Sequence, residues 1–428
     1  MSKIAYIGAG SGGFASYLIV DILNNPVFSG SHLVLMDISS ENLDINYRFA
    51  KKAAAQFGSG TTLEATTDLT AALDGADYVF DTTLRHGSNI RYEEEMACRR
   101  HGVNIYSGCT SGPAGVFRGL REIPAIMEML GILERVCPKA YYLHYTNPTN
   151  IVSLALGIAS PIKSVGLCHS VEETAKYMSR CLDIPFDRVA YRAGGVNHQN
   201  WILELEKDGQ DLYPAFRALY NTREIYNKQK VRFEIMKFFG YFPTESSSHN
   251  SEYVPYFRKT PEMAEAWTGA NIDHAEEGRE RERVRARVAA GLDKDEPVPV
   301  HEHSEFCIRI IEAIQANKTF CFYGNVLNKG IITNLPSDIA VEVPIMVDGT
   351  GWRPCFVGDL PPQCAALNAN RSAGDFLAAK GGLEGDKEAV LQAVALDPMT
   401  ACALTLDQIR ALAAELFEVD KEFLPQFK

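Results

Sequence analysis

The chain has 428 residues, 46% hydrophobic and 22% charged, with 54 Asp plus Glu against 42 Lys plus Arg and a formal net charge of −12. That length exceeds one ordinary core, since cores stop growing near ~250 residues, and it points to two domains. The acidic balance argues against a nucleic-acid surface or an anionic membrane as the main partner and leaves small molecules. No stretch approaches the ~20 apolar residues of a membrane span. The start, Met-Ser-Lys, enters a strand-like run without the regions of a signal peptide, so the expected setting is cytoplasmic. The ten cysteines form no Cys-x-x-Cys pair and read as free thiols.

Residues 3–7 form a short apolar strand that meets Gly8-Ala9-Gly10-Ser11-Gly12-Gly13, and helical spacing follows from Phe14 to Leu23. Strand, Gly-x-Gly-x-x-Gly and helix together are a dinucleotide fingerprint, with Gly8, Gly10 and Gly13 letting backbone N–H groups approach a pyrophosphate. A second strand over 32–36 ends in Asp37, whose carboxylate suits a ribose diol and so favours NAD over NADP. Further alternation is expected: helix 41–56, strand 62–65, helix 68–73, strand 77–82, helix 91–101, strand 104–107, helix 118–136 and strand 140–145. This pattern predicts a doubly wound parallel sheet, with ligands at the carboxyl ends of strands, where Arg85, His86, Asn147 and Asn150 fall.

Beyond residue 165 the pattern loosens. Val165-Gly166-Leu167-Cys168-His169-Ser170-Val171 and Gly194-Gly195-Val196-Asn197-His198-Gln199 place a thiol and an imidazole at the ends of short apolar runs. Cys168 and His198 suit a divalent transition ion with coordination positions left open for substrate, although a buried core cysteine gives the same pattern. Residues 240–253 read either as a surface loop or as a polar site segment carrying Glu245, His249 and Tyr253. The Arg- and Glu-rich stretch 276–296 reads as a solvated helix, strands are expected at 321–326 and 340–344, and 362–418 is mostly helical. The two domains are drawn as 1–166, Rossmann-like and NAD-binding, and 167–428, an α+β domain binding metal and substrate.

Read together, the glycine loop, Gly112-Pro113-Ala114-Gly115 with Arg118, Arg121 and Pro124, Asn147-Pro148, the Cys168-His169 motif, Gly195-Val196-Asn197-His198 and the 324–344 region resemble glycoside hydrolase family 4. These are NAD- and divalent-metal-dependent glycosidases related in fold to lactate and malate dehydrogenases. Cys168-His169-Ser170-Val171 and Gly240-Tyr241-Phe242 with Thr244-Glu245-Ser246-Ser247 are similar to the melibiase-type α-galactosidases. The phosphosugar members have Asp or Asn where His169 stands.

The resemblance implies oxidation at C3 of the sugar by NAD, removal of the C2 proton, departure of the aglycone, addition of water and return of the hydride, outside the usual two-carboxylate scheme. It implies Mn2+ or another divalent ion on Cys168 and His198, NAD contacts from Gly8, Gly10, Gly13 and Asp37, and Asn147 near nicotinamide and sugar. His169 is expected as general acid or as a hydrogen-bonding specificity residue. Glu245 and Tyr253 are candidates for the C2 base, with His249 behind them as a substrate contact. A homo-dimer or homo-tetramer is implied. Arg85 with His86 either receives an anionic sugar substituent, making the substrate an α-galacturonide, or pairs with an acid or a pyrophosphate oxygen. The rival classes are an NAD-dependent 2-hydroxyacid dehydrogenase and an inactive sugar or NAD sensor.

Overall fold

The computed structural model describes residues 2–85, 87–269, 274–294, 296–300 and 305–428. Its first part alternates strand and helix: Lys3–Ile7 (β1), Phe14–Leu23 (α1), His32–Met36 (β2), Ser40–Phe57 (α2), Thr62–Thr66 (β3), Leu69–Leu73 (α3), Tyr78–Asp81 (β4), Gly87–Arg100 (α4), Gly112–Val136 (α5), Tyr141–His144 (β5), Thr149–Ala159 (α6), Lys163–Leu167 (β6) and Ser170–Cys181 (α7). The six strands pair in parallel in the order β3-β2-β1-β4-β5-β6, the doubly wound arrangement expected from the alternation. Helices cover both faces, so β1, β2, β4 and β5 are runs of buried residues instead of alternating ones. Ile4, Leu33, Leu35, Phe80 and Leu143 are fully buried, each contributing about 1.5–3 kcal/mol of transfer free energy.

The remaining strands are Ala190–Val196 (β7), Gln199–Lys207 (β8), Gln210–Asp211 (β9), Phe242–Pro243 (β10), Phe320–Leu327 (β11), Ala340–Asp348 (β12) and Gly351–Pro354 (β13). They extend the same sheet as β6-β11-β12-β7-β8-β10 through antiparallel pairs, with β9 on β8 and β13 on β12. The join is at Gly324 with Leu167 and Asn325 with Gly166. The position proposed as a domain boundary therefore lies inside a continuous sheet. Backbone pairing carries the nucleotide half directly into the half that supplies His198 and Glu245.

Two local expectations change. Residues 104–107 are not a strand, because the N–H groups of Tyr106, Ser107 and Gly108 donate to one carboxylate oxygen of Glu252 at 2.6, 3.1 and 3.3 Å instead of to a neighbouring strand. The helix His274–Asp293 is not wholly solvated. Its backbone approaches Gly12 so closely that a Cβ there would stand 2.3 Å from the Arg281 carbonyl oxygen. Elsewhere the ends shift by a few residues; the helix expected from Arg118 begins at Gly112, since Pro113 is well suited to a first turn. Among the described residues no helix is long and apolar enough to cross a membrane.

Candidate active site

Cys168 directly follows β6, at the carboxyl end of the last parallel strand, and His169 caps α7. Glu172 and Glu173 in the first turn and Arg180 in the last complement the dipole of that helix, which fixes the strand-to-helix turn bearing both side chains. His198 enters from the other half of the sheet. Val196 pairs with Gln199, so Asn197 and His198 form a two-residue hairpin turn between β7 and β8. The edge strand β10 pairs Pro243 with Trp201 and delivers Glu245 two residues later. His198 and Glu245 hold positive φ angles of 63° and 70°, a costly conformation for residues with side chains and one that persists where surrounding structure enforces it.

One ligand atom each from Cys168, His198 and Glu245 lie within 4.8 Å of one another. A thiolate, an imidazole and a carboxylate suit a divalent transition ion with open positions. Asn197 Oδ1, one residue before His198 in the hairpin turn, is buried without a hydrogen-bond partner among the described residues. The three residues line a cleft of about 380 Å³ with Phe14, Thr82, Tyr145, Asn147, Thr149 and His169. The donor set therefore fits the ion that the sequence suggested, with Glu245 as a third donor that spacing alone did not supply.

Electrostatics prepare the cluster. Burial lowers the pKa of His198 to about 4, leaving the neutral ring that an ion requires. Burial, then the charges of Glu342 and Glu245, push the Cys168 thiol far up, so the metal-free site holds a thiol. Burial would raise Glu245, yet His198, His249, the Ser246 N–H and Arg232 outweigh it and hold the carboxylate below its ordinary range. Beneath the turn, Glu342 accepts from Asn197 and Asn200 side-chain amides at 3.5 and 3.2 Å, and burial raises its pKa to about 7. Glu342, fully buried in β12, was legible in the sequence only as part of a strand.

The other candidates separate. Tyr253 is 2% exposed; its hydroxyl lies 3.0 Å from His198 Nδ1 and 2.8 Å from Thr110 Oγ1, behind the ring and away from the cleft. His249 bonds Ser246 Oγ at 2.9 Å and stands 3.6 Å from Glu245, beside the carboxylate and not among the groups lining the cleft. His169 lies between Tyr145 and Phe306, and its Nε2 meets Glu305 at 2.7 Å. Burial opposes charge on His169, but Glu305, with Glu173 and Glu172, raises its pKa overall. Arg85 pairs with Glu122 at 3.2 Å and approaches Asp81 at 3.7 Å, the acid-paired alternative; His86 lies outside the described residues.

On the nucleotide side, Gly10 N–H donates to Asp37 at 2.8 Å, and a Cβ at Gly10 would stand 2.6 Å from that carboxyl carbon. Only glycine permits this approach. Gly8 N–H donates to the Met36 carbonyl at 2.9 Å, and Gly13 starts α1 without a side-chain cap, where the helix 274–293 packs against the loop through Arg281 and Val284. The loop and Asp37 thus fit a dinucleotide. Asn147, after β5, lines the same cleft as Cys168, His198 and Glu245.

The chain matches the model of family 4 glycosyl hydrolases over residues 3–184 and the model of that family's C-terminal domain over residues 193–400. It is similar to an α-galactosidase of Bacillus subtilis, 35% identical with all of both chains covered. An α-galactosidase of Rhizobium meliloti is 30% identical over 99% of this chain and 89% of that one. In fold it matches a 6-phospho-α-glucosidase from gut microorganisms, solved in complex with NAD and Mn2+, with a TM-score of 0.84, 22% identity and full coverage of both chains. The chain belongs to family 4 of the glycosyl hydrolases.

Proposed function

We propose that the protein hydrolyses α-galactosides with the aid of NAD and a divalent ion, Mn2+ foremost. One observation carries the reading: Cys168, His198 and Glu245 converge within 4.8 Å at the end of a dinucleotide-binding sheet. The α-galactoside is supported by the similarity to two α-galactosidases over nearly the whole chain. His169, in place of the Asp or Asn of phosphosugar members, supports a substrate without phosphate. The α-galacturonide alternative is supported by similarity to α-galacturonidases at 25–26% identity over 99% of this chain, but Arg85 is engaged by Glu122 and Asp81, so a sugar carboxylate would need another contact. A 2-hydroxyacid dehydrogenase has no use for a thiolate–imidazole–carboxylate cluster.

When bound, NAD supplies a hydride acceptor for C3 of the sugar and the ion supplies a Lewis acid for the C2 and C3 oxygens. Cys168 and His198 would hold the ion, and Tyr253, 3.0 Å from His198 Nδ1, would orient that ring from behind, as ring partners of ligating histidines commonly do. Gly8, Gly10 and Gly13 would admit the pyrophosphate, Asp37 would meet the ribose, and Asn147 would lie near nicotinamide and sugar. Glu245, whose carboxylate is held below its ordinary range, takes the C2 proton. Its oxygen lies within 4.8 Å of the Cys168 and His198 donor atoms and would be a third ligand to the ion. Glu305 anchors His169 Nε2 and leaves Nδ1 as the atom that hands a proton to the departing oxygen.

In this reading 1–166 is the NAD-binding part and 167–428 the part for metal and substrate. Ten free cysteines support a reducing, cytoplasmic setting, and the family resemblance supports a homo-dimer or homo-tetramer. The test is release of nitrophenol from nitrophenyl α-galactoside by purified protein with NAD, Mn2+ and thiol. Turnover that requires both additions, without net NADH, is expected. Activity unaffected by Cys168→Ser, or steady NADH formation from a hydroxyacid, contradicts the reading.

A further inference from the structure

One row of residues crosses the join between the parallel and antiparallel halves of the sheet. Gly166 on β6 lies opposite Asn325 on β11, Asn325 opposite Glu342 on β12, and Glu342 opposite Gly195 on β7. Cys168 stands two residues beyond one end of this row and His198 three beyond the other. Asn325 and Glu342 are polar yet buried, and their side chains are tied sideways. Asn325 Nδ2 donates to the Gly166 carbonyl at 3.1 Å, and the same amide stands beside the Glu342 carboxylate. On the other side, Asn200 Nδ2 donates to Glu342 Oε2 at 3.2 Å and to the Glu342 carbonyl at 2.8 Å, while Asn197 Nδ2 reaches Oε1 at 3.5 Å. The glycines at the two ends leave no slack. A Cβ at Gly166 would stand 2.7 Å from Ser153 Oγ, and one at Gly195 would stand 2.8 Å from the Asn200 Cα.

Resting on the reading of Cys168 and His198 as ligands, we propose that Glu342 is a positioning residue for the metal site, fixing the separation of the two ligands across the join. The strands that carry them, β6 and β7, do not pair with each other; β11 and β12 lie between. The distance from Cys168 to His198 therefore depends on this row. Glu342 holds the two asparagines on either side of His198, and its neighbour Asn325 holds the carbonyl two residues before Cys168. These bonds also help to enforce the positive φ of His198. An apolar side chain at 342 would fill the same space but leave the buried asparagine amides without acceptors and the turn without an anchor.

The test uses Co2+, whose thiolate complexes show a sulfur-to-metal charge-transfer band, on the metal-free full-length protein, with Cys168→Ser as the blank for the other thiols. The parent is expected to show a band that depends on Cys168. Glu342→Gln keeps the volume but places an amide donor where an asparagine needs an acceptor. It is expected to weaken Co2+ and Mn2+ binding by roughly 10- to 100-fold, the effect of losing a partner behind a ligand, and to shift or weaken the band at saturating Co2+. NADH affinity, measured without metal, should stay at the parent value. Asn325→Ala is expected to act in the same direction from the Cys168 side, and it decides the matter where Glu342→Gln does not fold. Parent-like affinity and band in either folded variant overturn the positioning role. A lowered unfolding midpoint with an unchanged band marks a purely structural residue and overturns it as well. A parent complex with no band that depends on Cys168 overturns the ligand reading itself, and with it the positioning role.

Discussion

The Tyr253 hydroxyl lies 3.0 Å from Nδ1 of His198, on the opposite edge of the ring from Nε2, which stands 3.9 Å from Glu245. The two candidates for the C2 base thus flank one imidazole, and only Glu245 lines the cleft. Tyr253 instead bonds Thr110 and lies beneath the Arg371 guanidinium, 4.0 Å from its ring centroid. Tyr253→Phe is expected to weaken Mn2+ binding by roughly 10- to 100-fold, the usual effect of removing a ring partner of a ligating histidine, while kcat at saturating Mn2+ stays near the parent value. Titration calorimetry and kinetics at saturating ion check the split. A collapse of kcat at saturating Mn2+ would restore Tyr253 as the base.

Glu245→Gln keeps the shape of the side chain and removes its basicity. Turnover is expected to fall by about 10²- to 10⁴-fold, the typical contribution of a positioned base. NADH binding, followed by nucleotide fluorescence, should be unchanged, because Glu245 lies with Cys168 and His198 and not on the nucleotide loop. Retention of more than about one-tenth of kcat would remove Glu245 from that role.

Of the two ligands Cys168 and His198, only Cys168 should make metal binding depend on pH above about pH 5. Burial lowers His198 to about 4, so at neutral pH it has no proton to lose. The Cys168 thiol is pushed far up and must release one proton when the ion binds. Affinity should therefore rise about tenfold per pH unit between 6 and 8, with one proton released in calorimetry across buffers of different ionisation enthalpy. Release of two protons, or none, would show that the charge states are otherwise.

Arg85→Ala tests the uronide alternative and the stability of the strand end together. Burial raises Glu122 to about 7, and Arg85 is the largest influence holding it down. Without Arg85 that pKa rises further and the carboxyl is protonated at neutral pH. A loss of about 1–3 kcal/mol in unfolding free energy is expected, the usual cost of leaving a buried polar group unsatisfied. Galactoside and galacturonide turnover should change by the same factor; a loss confined to the galacturonide would reinstate Arg85 as a substrate contact.

The parallel sheet was legible because its determinants are local: the glycines at 8, 10 and 13, Asp37 at a strand end, and alternating apolar runs. On spacing alone Cys168 and His198, each at the end of such a run, left a metal donor and a core cysteine both open, and the family resemblance favoured the donor. The role of Tyr253 was not, since it depends on Asn250–Tyr253 turning behind a hairpin more than fifty positions earlier in the chain. Glu252 shows the same limit: its carboxylate takes three N–H groups from 106–108, so an apolar run that reads as a strand is held as a loop. Glu342 looked like one residue of a β-branched strand, and only the antiparallel pairing of β12 with β7 brings it beneath the metal turn.

The central claim is that the C2 proton is removed during turnover, and hydrolysis of an α-galactoside in D2O with NAD and Mn2+ tests it most directly. The account predicts galactose carrying one solvent deuterium at C2, detected by proton NMR, with NADH absent at the end of the reaction. Galactose released at full rate with its C2 proton intact would contradict the account.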